Sequence, residues 1–146
     1  MDELIQAMKQ ALADHFAFYL KAHGFHWNVE GSDFLEYHDL FGKIYEEVYG
    51  SIDVFAEQIR ALDAYAPASF SRFSQLTRVE DEIKILPARL MIERLLSDID
   101  IVQQSTEQAY ELAEAAHKHG LSNFLAERQD AFAKHAWMLR ATLKNR

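Results

Sequence analysis

Cysteine is absent from this chain of 146 residues, which excludes disulfide bonds and metal sites built on thiolates. A chain without disulfides suits a reducing compartment, so we expect a cytoplasmic location. No apolar stretch approaches the roughly 20 residues that a membrane-spanning helix needs, and no membrane partner is expected. The first residues, Met1-Asp2-Glu3, carry negative charge. A signal peptide begins with positive charge, so none is predicted.

Basic residues are also few. The chain has 15 lysines and arginines against 23 aspartates and glutamates, a formal net charge of −8. An acidic protein repels the phosphates of nucleic acids unless it carries a basic patch or tail. The same charge suits cations as ligands, although an acidic surface can serve solubility alone. Charge by itself favours solubility as the explanation, so a role in cation binding must be argued from particular residues.

Proline and glycine are scarce, with two and five residues, so long helices can form. Apolar residues at helical spacing predict four long helices, and Phe70 and Phe73 predict a short helix in the longest connection. We expect Asp33 to cap the second helix, Gly120 to end the third and Ser122 to cap the fourth. The predicted helices span about 2–28, 33–62, 87–119 and 122–144, with a crossover at 63–86. These helix and crossover lengths predict a single domain over residues 1–146, an all-α, ferritin-like four-helix bundle.

Four residues are candidates for metal binding: His26, His38, Asp53 and Glu57. Asp53 and Glu57 are four positions apart on the second helix, so they project from one side of it. Imidazole and carboxylate groups together suit a first-row metal such as iron. His26 lies near the end of the first helix and His38 near the start of the second, at the same end of a helical hairpin. The alternative is that each is an ordinary core or surface residue.

Helix length separates the two histidines from the two carboxylates. Asp53 lies fifteen positions beyond His38, which is roughly 22 Å along a helix, so one ion cannot touch both within one chain. Two copies of the second helix, antiparallel across a twofold axis near Tyr45 and Glu46, would bring His38 of one chain to the carboxylates of the other. Such an interface is self-complementary and would form two equivalent sites. We expect Gly42 to let the neighbouring chain approach closely.

A second metal-binding pattern is weaker. A di-iron bundle with its centre inside one subunit uses two Glu-x-x-His pairs on different helices. Glu114 and His117 have this spacing, but no matching pair faces them. We therefore interpret His117 and His119 as residues that stabilise the C-terminal end of the third helix through its dipole.

Residues 23–31 read HGFHWNVEG, and aromatic, apolar and ligand residues continue this pattern to residue 62. Here the chain resembles the Dps (DNA protection during starvation) family, and residues 79–82 and 134–138 are similar to further segments of that family. The resemblance covers nearly the whole chain. It implies a hollow homo-dodecamer with a di-iron centre at each dimer interface, which oxidises ferrous iron with hydrogen peroxide and stores ferric mineral. The ligands that the resemblance carries over are His26, His38, Asp53 and Glu57.

The chain departs from the family pattern in two respects. Many relatives carry further carboxylates just after the second histidine, whereas Gly42 and Lys43 occupy two such places here. Asp39, Glu46 and Glu47 are the remaining candidates for holding a second iron. DNA-binding relatives often have flexible tails rich in lysine, and this chain shows none, so DNA binding is not expected.

Three further residues have two interpretations each. In the family, a tryptophan at the position of Trp27 lies near the iron centre and intercepts oxidising equivalents, while packing at an interface is the alternative. Glu127 and Asp130 either line an entry pore for iron or form a solvated helix face. Two rival functions are a non-enzymatic DNA-compacting protein and a structural bundle that keeps the shell but mineralises poorly.

Overall fold

The computed structural model describes residues 1–144, which form five helices and no strand. The helices are α1 (Asp2–Asn28), α2 (Phe34–Ala61), α3 (Phe70–Leu76), α4 (Ala88–Ala115) and α5 (His119–Leu143). The first two pack as one hairpin and the last two as another, and α1 also packs on α4. The predicted all-α four-helix bundle with a short crossover helix is confirmed. Across residues 1–144, no helix combines the length and the apolar character needed to cross a membrane.

Phenylalanine side chains form the centre of the bundle. Phe18, Phe41, Phe55 and Phe132 come from three of the long helices and are completely buried, and α4 adds buried aliphatic side chains. Burial of one such side chain contributes about 1.5–3 kcal/mol. Packing of the apolar faces, more than intrinsic helix propensity, therefore stabilises these helices.

The crossover is fastened to α1 by a buried carboxylate. Asp14 accepts hydrogen bonds from the Thr77 hydroxyl at 2.7 Å and from the Arg78 backbone N–H at 2.9 Å. Phe73 of α3 stacks on Phe16 of α1, with ring centroids 4.6 Å apart. These contacts hold α3 against α1 and place a groove between α3 and the C-terminal half of α2.

The turn between α4 and α5 lies earlier than the sequence predicts. The predicted third helix runs to residue 119 and the fourth starts at 122, but α4 ends at Ala115 and α5 begins at His119. Gly120 and Ser122 thus lie inside α5, so their predicted roles as helix stop and helix cap are wrong. His119 starts α5, so the prediction that it stabilises the end of the third helix is also wrong. The first two predicted helices agree with α1 and α2 to within one residue at each end.

A histidine ends α4 in place of the expected glycine. His117 has a left-handed φ of 58° and donates its backbone N–H to the carbonyl of Glu114 at 3.0 Å. The N–H of Lys118 donates to the carbonyl of Ala113 at 2.9 Å. This pair of bonds is the Schellman motif, which satisfies the last carbonyls of a helix and usually has glycine at the left-handed position.

Candidate metal centre

The structure brings His26 and His38 together at one end of the α1–α2 hairpin. His26 lies in the last turn of α1 and His38 in the second turn of α2. Their rings stack with centroids 3.7 Å apart and planes 18° apart. Both side chains are half-buried, so ring nitrogens at this end of the hairpin can meet a ligand.

Two reciprocal hydrogen bonds fix the tautomer of these imidazoles. Nδ1 of His26 donates to the carbonyl oxygen of His38 at 2.6 Å, and Nδ1 of His38 donates to the carbonyl oxygen of His26 at 2.7 Å. A carbonyl can only accept, so each neutral ring carries its proton on Nδ1 and keeps a lone pair on Nε2. Histidines that bind metals commonly donate their other ring nitrogen in this way. The pair therefore offers two Nε2 ligands held by the backbone.

Gly42 makes this arrangement possible. A Cβ at this position would lie 3.1 Å from Cε1 and Nδ1 of His26, closer than ordinary contact. The missing side chain lets the His26 ring reach the backbone of α2 and donate to His38. The expectation that Gly42 admits a neighbouring chain thus needs correction, because His26 of the same chain uses the space.

The histidine pair lies among further aromatic rings, of which Tyr19 and His23 were not predicted to belong to the site. His23 stacks on Tyr45 with centroids 3.7 Å apart, and its Nδ1 lies 2.9 Å from the hydroxyl of Tyr19. Burial, and then the neighbouring His26, lowers the pKa of His23. The exposed ring of Trp27 lies 4.0 Å from His23, and no ring contact joins it to His26 among the described residues. The helical spacing of Tyr19, His23 and His26 was the available signal for this cluster.

The two carboxylates of the predicted set lie elsewhere on α2. Asp53 and Glu57 are exposed and occupy the C-terminal half of the helix, roughly 22 and 28 Å along its axis from His38. Within residues 1–144, no three histidine or acidic side chains lie close enough together to hold one ion. One chain therefore assembles the imidazole half and the carboxylate half of the predicted set as two separate pairs.

Glu47, a candidate for holding a second iron, is already engaged by the buried side chain of Arg128. Its carboxylate accepts two hydrogen bonds from Arg128, at 2.6 and 3.2 Å, and lies 2.8 Å from Nε2 of His135. Burial opposes ionisation of Glu47, but hydrogen bonds from His135 and Arg128 prevail and lower its pKa to about 2. Nε of Arg128 also donates to the buried His15 at 3.3 Å. Glu47 thus neutralises a buried guanidinium and is not free to hold a second iron.

The other predicted acidic residues are exposed. Asp39 forms an ion pair with Lys43 at 3.3 Å, with both side chains more than two-thirds exposed. Glu127 accepts a hydrogen bond from Asn123 at 3.3 Å on the surface of α5, and Asp130 is exposed on the same helix. One chain alone gives these residues no shared site.

The fold and the sequence both match known proteins over nearly the whole chain. The family model for the ferritin-like domain matches residues 5–146. DNA protection during starvation protein 2 of Bacillus anthracis is 28% identical over 141 residues, which cover 97% of each protein. The crystal structure of the Dps protein from Vibrio cholerae O1, described as a member of a broad superfamily of ferritin-like diiron-carboxylate proteins, is 29% identical with a TM-score of 0.93. The match covers 98% of this chain and 90% of the Vibrio cholerae chain. Dps from Staphylococcus aureus is 26% identical with a TM-score of 0.94, covering 100% and 98%.

Proposed function

Because the chain belongs to the ferritin-like domain family and, within it, to the Dps mini-ferritins, we propose that it oxidises ferrous iron with hydrogen peroxide and stores the ferric product. The observation that carries this proposal is the histidine pair. His26 and His38 each donate a hydrogen bond from Nδ1 to a backbone carbonyl, which leaves two Nε2 lone pairs in a polar, half-buried position. A stacked histidine pair with only a packing role would not need this tautomer.

The proposed centre is shared between two chains. His26 and His38 of one chain face Asp53 and Glu57 of its partner across a twofold axis, and the second site has the same composition. This arrangement explains why one chain keeps its imidazoles and its carboxylates apart. We further propose that the dimers close into a hollow dodecamer, as the Dps resemblance implies, with Glu127 and Asp130 lining an entry pore for iron.

Each residue has a defined chemical task in this proposal. The neutral imidazoles bind ferrous ions, and the carboxylates of Asp53 and Glu57 balance the higher charge of the ferric state. Two ferrous ions give one electron each to one peroxide molecule, whose O–O bond breaks to give two water molecules after uptake of two protons. The paired transfer avoids release of a hydroxyl radical. Trp27, close to His23, is proposed as a reserve electron donor when only one ferrous ion is bound.

An anaerobic titration tests the proposal. Ferrous iron is added to the metal-free oligomer, binding is followed by calorimetry, and hydrogen peroxide is then added while ferric absorbance is recorded. We expect saturable ferrous binding and about two irons oxidised per peroxide consumed. His38→Ala should lose both signals, while Tyr65→Phe, an exposed residue on the crossover, should keep them. The proposal would be contradicted if the oligomer bound no ferrous iron and peroxide oxidised the iron at the same rate as in protein-free buffer.

Protection of DNA, which the names of relatives describe, would follow here from removal of iron and peroxide. The net charge of −8 opposes direct binding, because binding to DNA depends on clustered lysine and arginine. We propose the cytoplasm as the location, on the ground that the chain has no cysteine.

A further inference from the structure

One face of α2 carries large hydrophobic side chains that are exposed. Leu35, Tyr49 and the half-buried Ala56 lie on this face at multiples of seven residues, the repeat with which helices pack side by side. Leu35 is 71% exposed and Tyr49 is 58% exposed, although both lie on a regular helix next to a buried core. Exposed apolar residues in a regular row indicate a packing surface.

The proposed metal centre sets a register for this row. If His38 of one chain lies opposite the partner's Asp53, antiparallel pairing places Leu35 opposite the partner's Ala56, three positions further out on each chain. The large Leu35 then faces a small residue, although size played no part in choosing the register. The helices must also run close together here, because Leu35 is less than one turn from His38.

The position opposite Leu35 is concave and apolar. A groove of about 550 Å³ lies beside Asp53, between α2 and the crossover, and Ile52, Ala56, Phe70 and Phe73 line it. Phe70 is 82% exposed, which indicates that one chain leaves the groove incompletely covered. The ends of the face are complementary in chemistry as well, because its N-terminal half carries His38 and its C-terminal half carries the acidic ligands.

We propose that Leu35 of each chain inserts into this groove of a second copy of the chain and fixes the register of the shared metal centre. The inference rests on the proposed function, since the pairing of His38 with Asp53 defines the twofold axis. It assigns Leu35 and the groove a positioning role: they align the two halves of the site without touching iron.

Disulfide trapping tests the register, and the natural absence of cysteine makes the experiment clean. The full-length double variant Leu35→Cys with Ala56→Cys is oxidised as the assembled oligomer and run on a non-reducing gel. A disulfide needs Cα atoms about 4.4–6.8 Å apart, so only a close pair reacts efficiently. We expect a covalent dimer. The matched control, Leu35→Cys with Val54→Cys, changes a neighbouring exposed residue that points away from the row and should remain monomeric on the gel.

Two single variants of Leu35 test the inference if the cysteine double variant does not fold. Leu35→Lys should weaken the dimer by about a hundredfold or more, because two buried leucines are lost per interface, whereas Leu35→Met should assemble normally. Two results would overturn this inference if the wild-type protein assembles and oxidises iron: crosslinking at residue 54 instead of 56, or normal assembly of Leu35→Lys. Either result would leave the proposed function intact. Wild-type protein without ferrous binding would contradict the proposed function itself.

Discussion

A methyl group added at Gly42 tests how tightly the histidine pair is held. The new Cβ would lie 3.1 Å from Cε1 and Nδ1 of His26, where ordinary contact begins at 3.4 Å. His26 has little room to retreat, because its Nδ1 donates to the His38 carbonyl at 2.6 Å and its ring stacks on His38. The ring must therefore shift by a few tenths of an ångström.

Such a shift is large for a metal site. Ligand distances in formed sites hold to about 0.2 Å, and changes to the contacts that orient ligating histidines typically cost about 10- to 100-fold in affinity. We expect Gly42→Ala to weaken ferrous binding by this range. Its effect on folding should be favourable or small, because glycine inside a helix is about 0.5–1 kcal/mol less stable than alanine.

Gly50 provides the matched control on the same helix. A Cβ there meets no atom within 4 Å in the chain, so Gly50→Ala should raise the free energy of unfolding by about 0.5–1 kcal/mol and leave ferrous binding unchanged. Anaerobic calorimetry measures ferrous affinity, and denaturant unfolding measures stability. Gly42→Ala that binds ferrous iron as tightly as the wild type would refute the role assigned to this glycine.

Three further predictions concern the bundle interior and the surface. Arg128→Ala removes the partner of Glu47, and we expect a loss of about 2 kcal/mol in denaturant unfolding, below the roughly 3–5 kcal/mol of fully buried pairs because Glu47 is partly exposed. Burial, and then Arg128, lowers the pKa of His15 from 6.5 to about 3, so its contribution to stability is complete above pH 6.5 and lost as the pH falls towards 3. His15→Gln should therefore flatten the stability curve between pH 6.5 and 4.5 by up to about 1.4 kcal/mol per pH unit, and an unchanged slope would count against a buried neutral His15. Plasmid DNA should migrate normally with the protein at physiological salt, and retardation without added divalent metal would contradict the absence of direct binding.

The helices were predictable because the apolar spacing and the scarce prolines act locally. The end of α4 was not, because a sequence rule places glycine at the left-handed position and His117 occupies it here. The cost of a left-handed histidine is met by the two backbone bonds of the Schellman motif and by the packing of α5 against α4. Only the tertiary structure shows that His117, and not Gly120, takes the left-handed position at the end of α4.

The sequence was sufficient to predict His26 and His38 as candidate metal ligands, but it could not predict the contacts that hold the two rings together. Reciprocal bonds to backbone carbonyls depend on how α1 and α2 lie together, which spacing along the chain does not define. The role of Glu47 was hidden for the same reason, since its partner Arg128 is 81 positions away. The meeting of His38 with Asp53 of a second chain stays a prediction.

A subunit-mixing experiment tests the shared site most directly. His38→Ala and Asp53→Ala should each abolish peroxide-driven oxidation in pure oligomers. When the two variants are dissociated, mixed and reassembled, half of the dimers contain one of each, and one of their two sites has all four ligands intact. Activity should then return to about one quarter of the wild-type value for random pairing. Mixed oligomers that are verified by mass spectrometry and remain inactive would contradict a centre shared between chains.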